Sequence, residues 1–208
     1  MILENRTTDK RFSDRWLFEI PQRTGPSGSN PYDLLVMGMK TNEEYGHSPI
    51  SLGNNLYMMS VDPNYAYYWI ELNDEIEIIA GVKPFENGLA IGDVGKRLGG
   101  KIWASDFYQA IVDSTHEKLL FSGDQISDEG YKIWKNLIRG NHKLFGYDPS
   151  DTMKYSNIDS EEDLKKFAGS SEEHKKLRFV LSENSKVRVG SVWTSFEMLR
   201  IHRLVHKY

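Results

Sequence analysis

The spacing of hydrophobic residues changes along this chain, from a period of two in the middle to a helical period after residue 100. Residues 65–72 and 75–82 are two β-prone runs, and Asn73-Asp74 between them is typical of a tight turn. The pattern predicts an antiparallel hairpin. Further strands are predicted over 56–61 and 89–94, and three antiparallel strands (65–72, 75–82 and 89–94) are expected before the helical part.

Residues 101–148 follow with the order helix, strand, helix, strand. Ser105 or a neighbour is placed to cap the first helix and Ser127 to cap the second. Residues 118–121 and 144–147 are short apolar runs expected to be buried strands. Apolar residues at helical spacing define the buried stripes of the two helices: Trp103, Phe107, Ala110 and Ile111 in the first, and Ile133, Trp134, Leu137 and Ile138 in the second.

The segments on both sides are more polar and less regular. The fold class is therefore predicted as α+β, with a mixed, mostly antiparallel sheet and flanking helices. We expect one globular unit, with a core over 65–149, an N-terminal extension over 1–64 packed on it and a C-terminal extension over 150–208. The elements predicted in the extensions are a strand over 15–20, a strand or short helix over 32–40, a helix over 161–168, strands over 177–181 and 186–189, and a helix over 194–207.

Composition narrows the class of protein. The chain has 208 residues, of which 39% are hydrophobic, which suffices for a folded core. The 25 aromatic residues suit either that core or an aromatic-lined binding surface. Cysteine is absent, which excludes disulfides, thiolate metal sites and a cysteine nucleophile. No secretory signal and no run of about 20 apolar residues is visible, so we expect a soluble, cytoplasmic protein without a membrane partner.

The order of three antiparallel strands followed by helix, strand, helix and strand resembles the core of the GNAT family of N-acetyltransferases. The stretch is also similar to short GNAT-like proteins of tailed bacteriophages, in the motifs Gly95-Lys96, 104–108, 120–124, 127–134 and Tyr147-Asp148-Pro149. The resemblance covers residues 65–149. It implies a GNAT-like core, acetyl-CoA as the cofactor and transfer of an acetyl group to an amine. A phage-encoded protein would act in the host cytoplasm.

In the family, a loop of the form Arg/Gln-x-x-Gly-x-Gly/Ala holds the pyrophosphate of acetyl-CoA. Glycines serve there because a bare backbone lets several N–H groups approach the phosphates. The nearest match has two glycines and three cations at a different spacing, and a flexible turn between strand and helix is the alternative interpretation. The resemblance assigns cofactor binding to Lys96, Arg97, Gly99, Gly100 and Lys101.

The same resemblance suggests two catalytic residues. Tyr131 lies in the second helix, where the family often places a tyrosine that protonates the departing thiolate. Glu71, Glu75 and Glu77 lie on the hairpin, where the family can keep a general base, and Glu71 is taken as that base. The alternatives are a helix-boundary tyrosine and strand carboxylates that face solvent, with Glu75 and Glu77 alternating against buried isoleucines.

Two other groups of polar residues are candidates for function. Asp124 and Gln125 follow a predicted buried strand, at the kind of strand end where ligands bind in open sheets, so we assign them to a substrate or a partner. His202 and His206 are four residues apart on the last predicted helix, a spacing that can hold a metal. Because cations surround them, we interpret them as a basic helix end and expect no metal site.

Three functions are compatible with these patterns. The first is an acetyl-CoA-dependent N-acetyltransferase. The second is a catalytically silent GNAT-like scaffold that binds a host or phage protein, as a modulator or a virion component. The third is a nucleic-acid binder that uses the basic end of the last helix, which a net charge of −4 and a pI near 5.9 disfavour.

Overall fold

A computed structural model describes residues 31–116, 118–124, 126–168 and 176–183. Within these ranges, nine strands form one mixed sheet flanked by four helices, which confirms the predicted α+β class. No helix in these ranges is long and apolar enough to cross a membrane. The helices are α1 (Tyr32–Glu44), α2 (Ala104–Ser114), α3 (Asp128–Arg139) and α4 (Glu161–Lys166). The strands are β1 (Ile50–Gly53), β2 (Leu56–Asp62), β3 (Tyr65–Leu72), β4 (Glu75–Phe85), β5 (Gly88–Lys96), β6 (Leu119–Phe121), β7 (Leu144–Tyr147), β8 (Tyr155–Asn157) and β9 (Arg178–Ser182).

The strand order in the sheet is β1-β2-β3-β4-β5-β6-β9-β7-β8. Neighbouring strands are antiparallel except β5 and β6, which are parallel. β9 comes late in the chain but lies between β6 and β7, so it closes the sheet around the short central strand β6. The nine described strands therefore form one continuous sheet, with β1 at one edge and β8 at the other.

The predicted hairpin of β3 and β4 is confirmed. Asn73 and Asp74 both have positive φ, as a tight two-residue hairpin turn requires. Ile70 pairs with Ile78 and Glu71 with Ile76, so Glu77 is an extra residue on β4 and forms a β-bulge.

The bulge overturns one part of the predicted pattern. Ile76 and Ile78 pack into different clusters, on opposite faces of the sheet. Glu77, which the alternation placed in solvent, is only 2% exposed. A period-two pattern assumes continuous pleating, and one inserted residue moves every later side chain to the other face.

α2 and α3 cover one face of the sheet, which we call the α2/α3 face. Its core includes Tyr68, Ile78, Phe107, Leu120 and Trp134, all buried. The predicted α3 stripe is confirmed, since Trp134 and Leu137 are buried and Ile133 and Ile138 pack beside them. The predicted central strand is confirmed over Leu119–Phe121, and Ser127 caps α3 by accepting a 3.1 Å hydrogen bond from the Gly130 N–H.

Two predictions for α2 are wrong. Trp103 precedes the helix and is 67% exposed, so it does not belong to the buried stripe formed by Phe107, Ala110 and Ile111. Ser105 does not cap the helix, because α2 already begins at Ala104 with Trp103 in the capping position. Helical spacing cannot locate the first turn of a helix, and Trp103 instead lies under the Lys96 ammonium group, 5.5 Å from the ring centroid.

α1 covers the opposite side of β2, β3 and β4, which we call the α1 face. Residues 32–40, for which the sequence allowed either a strand or a short helix, belong to this helix. Its Leu35 and Met39 pack on Met59, Trp69 and Ile79 of the sheet. The strand predicted over 15–20, and the strand and helix predicted over 186–189 and 194–207, lie outside the described residues, as do Gln125, His202 and His206.

Candidate functional site

The glycine-containing segment after β5 is a tight turn, which we call the Arg97 turn (Arg97–Lys101). The Gly100 N–H donates a 3.0 Å hydrogen bond to the Arg97 carbonyl. Gly99 has a φ of +74°, so the turn itself requires glycine at that position. Leu98 stands at the tip and is 97% exposed. The glycine at position 99 is therefore explained by backbone geometry, whether or not a ligand binds.

Glu77 holds this turn in place. Its side chain is 3% exposed, and its Oε2 accepts a 2.5 Å hydrogen bond from the Lys101 N–H. Its Oε1 accepts from the Arg97 guanidinium, and its carbonyl accepts a 2.9 Å bond from the Arg97 N–H. Arg97 also pairs with Glu75 at 2.5 Å. These contacts, the Lys101 N–H first and the Arg97 side chain second, lower the pKa of Glu77.

The contacts of Glu77 bear directly on the predicted phosphate loop. A carboxylate of this chain already occupies both the backbone N–H of Lys101 and the Arg97 guanidinium. A β carbon on Gly100 would lie 3.1 Å from Glu77 Oε2, so that glycine allows close approach of Glu77 itself. The role of Glu77 could not be predicted from the sequence, because nothing in the local pattern indicates the bulge that turns its side chain inward.

A second polar region lies between residues 91–96 of β5 and residues 122–124 after β6; we call it the notch. β5 and β6 pair at only two positions, Leu89 with Leu120 and Ala90 with Phe121. Beyond Ala90, β5 continues to Lys96 with β4 as its described neighbour. Because β5 and β6 are parallel, the chain leaves both strands at the same edge of the sheet, where α2 and α3 begin.

Asp93 lies in β5 where the notch opens. Ala80 pairs with Val94 and Val82 with Ile91, so Gly92 and Asp93 form a bulge opposite Gly81. The Asp93 side chain is exposed, yet the protein around it removes enough water to raise the pKa of its carboxyl group, with Lys83 acting against the rise. Asp93 is not among the residues predicted from the sequence, because an acidic residue inside a strand of mixed polarity is not distinctive.

The segment after β6 has a structural explanation for part of its polarity. Ser122 is buried; its N–H donates to the Phe179 carbonyl at 2.8 Å, and its Oγ accepts from the Phe179 N–H at 3.0 Å. These bonds continue the ladder between β6 and β9. Asp124, a predicted substrate or partner residue, is exposed, and its charge favours the cationic form of Arg178, whose pKa burial lowers.

The two predicted catalytic residues lie on opposite faces of the sheet. Tyr131 packs on the α2/α3 face, with its ring centroid 6.1 Å from that of Phe179 in β9. Burial raises the pKa of Tyr131, with Lys135 acting against the rise, and its Oη has no hydrogen-bond partner within the described residues. Glu71 belongs to β3 and lines a cavity on the α1 face together with Arg97. The structure brings Glu71 close to the Arg97 turn but does not bring it together with Tyr131.

No group of three or more His, Asp or Glu side chains in the described part of the chain is arranged to hold a metal ion. No protein-family model, curated protein or solved structure in the comparisons matches this chain. Interpretation of the site therefore depends on its own geometry.

Proposed function

We propose that this protein is acetyltransferase-like, with a GNAT-like core that binds acetyl-CoA at the notch and transfers the acetyl group to an amine. One observation carries the proposal: β5 and β6, the one parallel pair of the described sheet, separate after two paired positions at the edge where α2 and α3 begin. In sheets with parallel strands, ligands bind beyond the carboxyl ends of strands at such a point.

The residues around the notch fit such a ligand. On the side of β5 that faces β6, residues 91–95 pair with no described strand, and their backbone N–H and C=O groups can pair with amide groups of an extended molecule. The N-terminus of α2 lies at the same edge, where the helix dipole favours negative charge and the carboxylate of Asp106 in the first turn opposes it. The Arg97 turn fits less well, since Glu77 fills its donors, so phosphates would bind there only if Glu77 moved aside.

The chemistry requires an acceptor and a donor of protons. Acetyl-CoA supplies an activated thioester, and the attacking amine must lose a proton as its nitrogen forms the new C–N bond. Asp93 is our candidate base, because it lies in β5 beside the notch and loss of water raises the pKa of its carboxyl group, with Lys83 acting against the rise. The departing sulfur needs a proton when the C–S bond breaks, and Tyr131 is the donor that the family resemblance predicts. Tyr131 packs on the α2/α3 face, whereas Asp93 acts on Tyr65 of the α1 face, so the described contacts do not bring the two side chains together.

A second candidate function is supported by a different observation. Glu77 accepts hydrogen bonds from the Arg97 guanidinium and from the Lys101 N–H of the Arg97 turn without a ligand. This arrangement favours a catalytically silent scaffold that binds a host or phage protein. A scaffold has no need of the notch, so the two proposals differ in whether acetyl-CoA binds at all.

Calorimetric titration with acetyl-CoA tests the proposal. Gly92→Val is the informative variant: a β carbon there meets only the Gly81 carbonyl, at 3.4 Å, so the fold has room for it while the notch is narrowed. We expect saturable binding to the native protein and a loss of at least about tenfold in affinity for Gly92→Val. Ser60→Val, at an exposed position of β2, is the matched control and should bind normally.

Catalysis is tested separately, by release of free CoA thiol with lysine or 1,4-diaminobutane as the amine. Asp93→Asn should slow release by at least about a hundredfold without changing the affinity for acetyl-CoA. Binding without turnover for any amine would reject acetyl transfer and leave only a cofactor-binding site. No heat at about millimolar acetyl-CoA would reject the acetyltransferase proposal altogether.

A further inference from the structure

A cavity of about 400 Å³ lies between α1 and the α1 face of the sheet; we call it the α1 cavity. A volume of this order accommodates a small organic molecule. The cavity is built from α1, the loop that follows it, the ends of β2, β3 and β4, and Arg97, whereas the notch is formed by β5 and the end of β6. The two sites therefore do not share a binding surface.

The floor of the α1 cavity is aromatic. Tyr57 and Trp69 are partners across β2 and β3, and their rings are stacked with centroids 5.7 Å apart and an interplanar angle of 17°. Val36 and Met39 of α1 form the apolar wall opposite them. The faces of aromatic rings carry partial negative charge and attract cations, most strongly where water is displaced.

The rim of the cavity is acidic. Glu43, Glu71 and Asp74 line it and have no ion pair with any described residue, while Glu75 pairs with Arg97. Lys40 is the remaining cation of the lining, and Arg97 is already balanced by Glu75 and Glu77. These carboxylates are not arranged to hold a metal ion. An organic cation, whose positive charge is spread over several atoms, therefore matches them better than a metal ion does.

One donor in the cavity wall is also unsatisfied. Trp69 is 3% exposed, and its Nε1 has no hydrogen-bond partner within the described residues. Leaving a buried donor unpaired costs about 1–3 kcal/mol, so such groups usually have a partner in the functional state. Because the Nε1 atom itself has less than 1 Å² of accessible surface, the Trp69 side chain would have to shift before a ligand in the cavity could accept a hydrogen bond from it.

We propose that the α1 cavity binds a small organic ammonium ion of the size of choline or ethanolamine. The ammonium group meets the Tyr57 and Trp69 rings and the carboxylates of Glu43, Glu71 and Asp74. This site goes beyond the proposed acetyl transfer and does not depend on it, because it can be occupied while the notch is empty.

Titration calorimetry with choline and with ethanolamine tests the site, using the full chain without acetyl-CoA. The neutral analogue of choline, 3,3-dimethylbutan-1-ol, has the same shape without the charge and serves as the ligand control. We expect saturable binding of at least one ammonium probe and at least about tenfold weaker binding of the neutral analogue. Saturation by neither ammonium probe, or equal binding of the neutral analogue, would overturn the proposal.

Glu71→Gln is the decisive variant, because it removes one rim charge at nearly constant shape. It should weaken ammonium binding by at least about tenfold, while Glu129→Gln, at an exposed position of α3, should leave it unchanged. Tyr57→Leu should also weaken binding, since it removes the ring and keeps an apolar side chain. Native affinity in both Glu71→Gln and Tyr57→Leu would show that the probes bind elsewhere and would refute the site.

Discussion

The two faces of the sheet use their polar residues in different ways. On the α2/α3 face two helices exclude water, and the buried Gln109 is paired with Asp113 at 2.7 Å and with His142 at 2.8 Å. On the α1 face a single helix leaves the α1 cavity, whose carboxylates Glu43 and Glu71 have no described ion pair. The first face thus pairs its buried Gln109 within the protein, whereas the second leaves carboxylates unpaired beside a cavity, as the proposed ammonium site requires.

The largest effect expected from this comparison is at Trp134. Trp134→Ala should lower the free energy of unfolding by about 3–5 kcal/mol, because it empties a fully packed position between Tyr108 and Phe179. Trp103→Ala is the matched control and should cost less than about 1 kcal/mol, since its ring is exposed and contacts the Lys96 ammonium. Urea denaturation measures both. Equal losses would contradict the placement of Trp103 outside the core.

Much of the α2/α3 face could be predicted from the sequence, because its signals are local. The stripe around Trp134, the cap at Ser127 and the strand over Leu119–Phe121 each depend on residues within one turn or one strand. Trp103 was misplaced because helical spacing gives the face of a residue but not the position where the helix begins. The position of β9 between β6 and β7 is a long-range pairing, and no local pattern reports it.

The candidate site could be predicted far less well. The sequence marked the glycines and cations of the Arg97 turn, but the partner that controls them is Glu77, twenty residues earlier and inverted by a bulge. The position of Asp93 is likewise determined by a bulge in β5 and by the early end of β6. The predictions for Tyr131, Glu71 and Asp124 stay predictions, and what the structure adds is that the first two are separated by the sheet.

The next-largest loss of stability is expected where α1 contacts the sheet. A β carbon on Gly95 would overlap the backbone N and Cα of Tyr32, where α1 begins, and backbone cannot move aside as a side chain can. Gly95→Ala should therefore cost about 2–3 kcal/mol and loosen the α1 cavity. Gly92→Ala, three residues earlier on the same strand, should cost less than about 1 kcal/mol. Hydrogen exchange of the α1 amides should rise in Gly95→Ala alone; unchanged protection would mean that α1 does not depend on this contact.

Substitution of Glu77 should cause a smaller loss of unfolding free energy, and the size of that loss should depend on pH. Its pKa is lowered in the folded state from an ordinary value of 4.5, mainly by the Lys101 N–H and then by Arg97. Its contribution is therefore fully present above pH 4.5 and is lost as the pH falls through the lowered pKa. Glu77→Gln should cost about 1–2 kcal/mol at pH 7, less than a fully buried pair because Arg97 is partly exposed.

Urea midpoints between pH 7 and pH 3 measure this contribution. The native protein should lose stability more steeply below pH 4.5 than Glu77→Gln does, because the variant lacks the group whose protonation breaks the contacts. Glu129→Gln, an exposed carboxylate on α3, provides the matched pH control. Parallel curves for the native protein and Glu77→Gln would mean that Glu77 does not hold the Arg97 turn in solution.

The smallest change in stability is expected at Glu71. Its carboxylate lies at the rim of the α1 cavity, whereas that of Glu77 is buried. Glu71 lines the α1 cavity beside Asp74 and Glu75 and has no described ion pair, so Glu71→Gln removes mutual repulsion and breaks no salt bridge. We expect a change in unfolding free energy within about 0.5 kcal/mol, in either direction. A loss comparable to that of Glu77→Gln, measured in the same urea experiment, would show that the rim carboxylates support the fold. Unchanged stability with weakened ammonium binding would assign Glu71 to the ligand, because a residue that only supported the fold could not change binding alone.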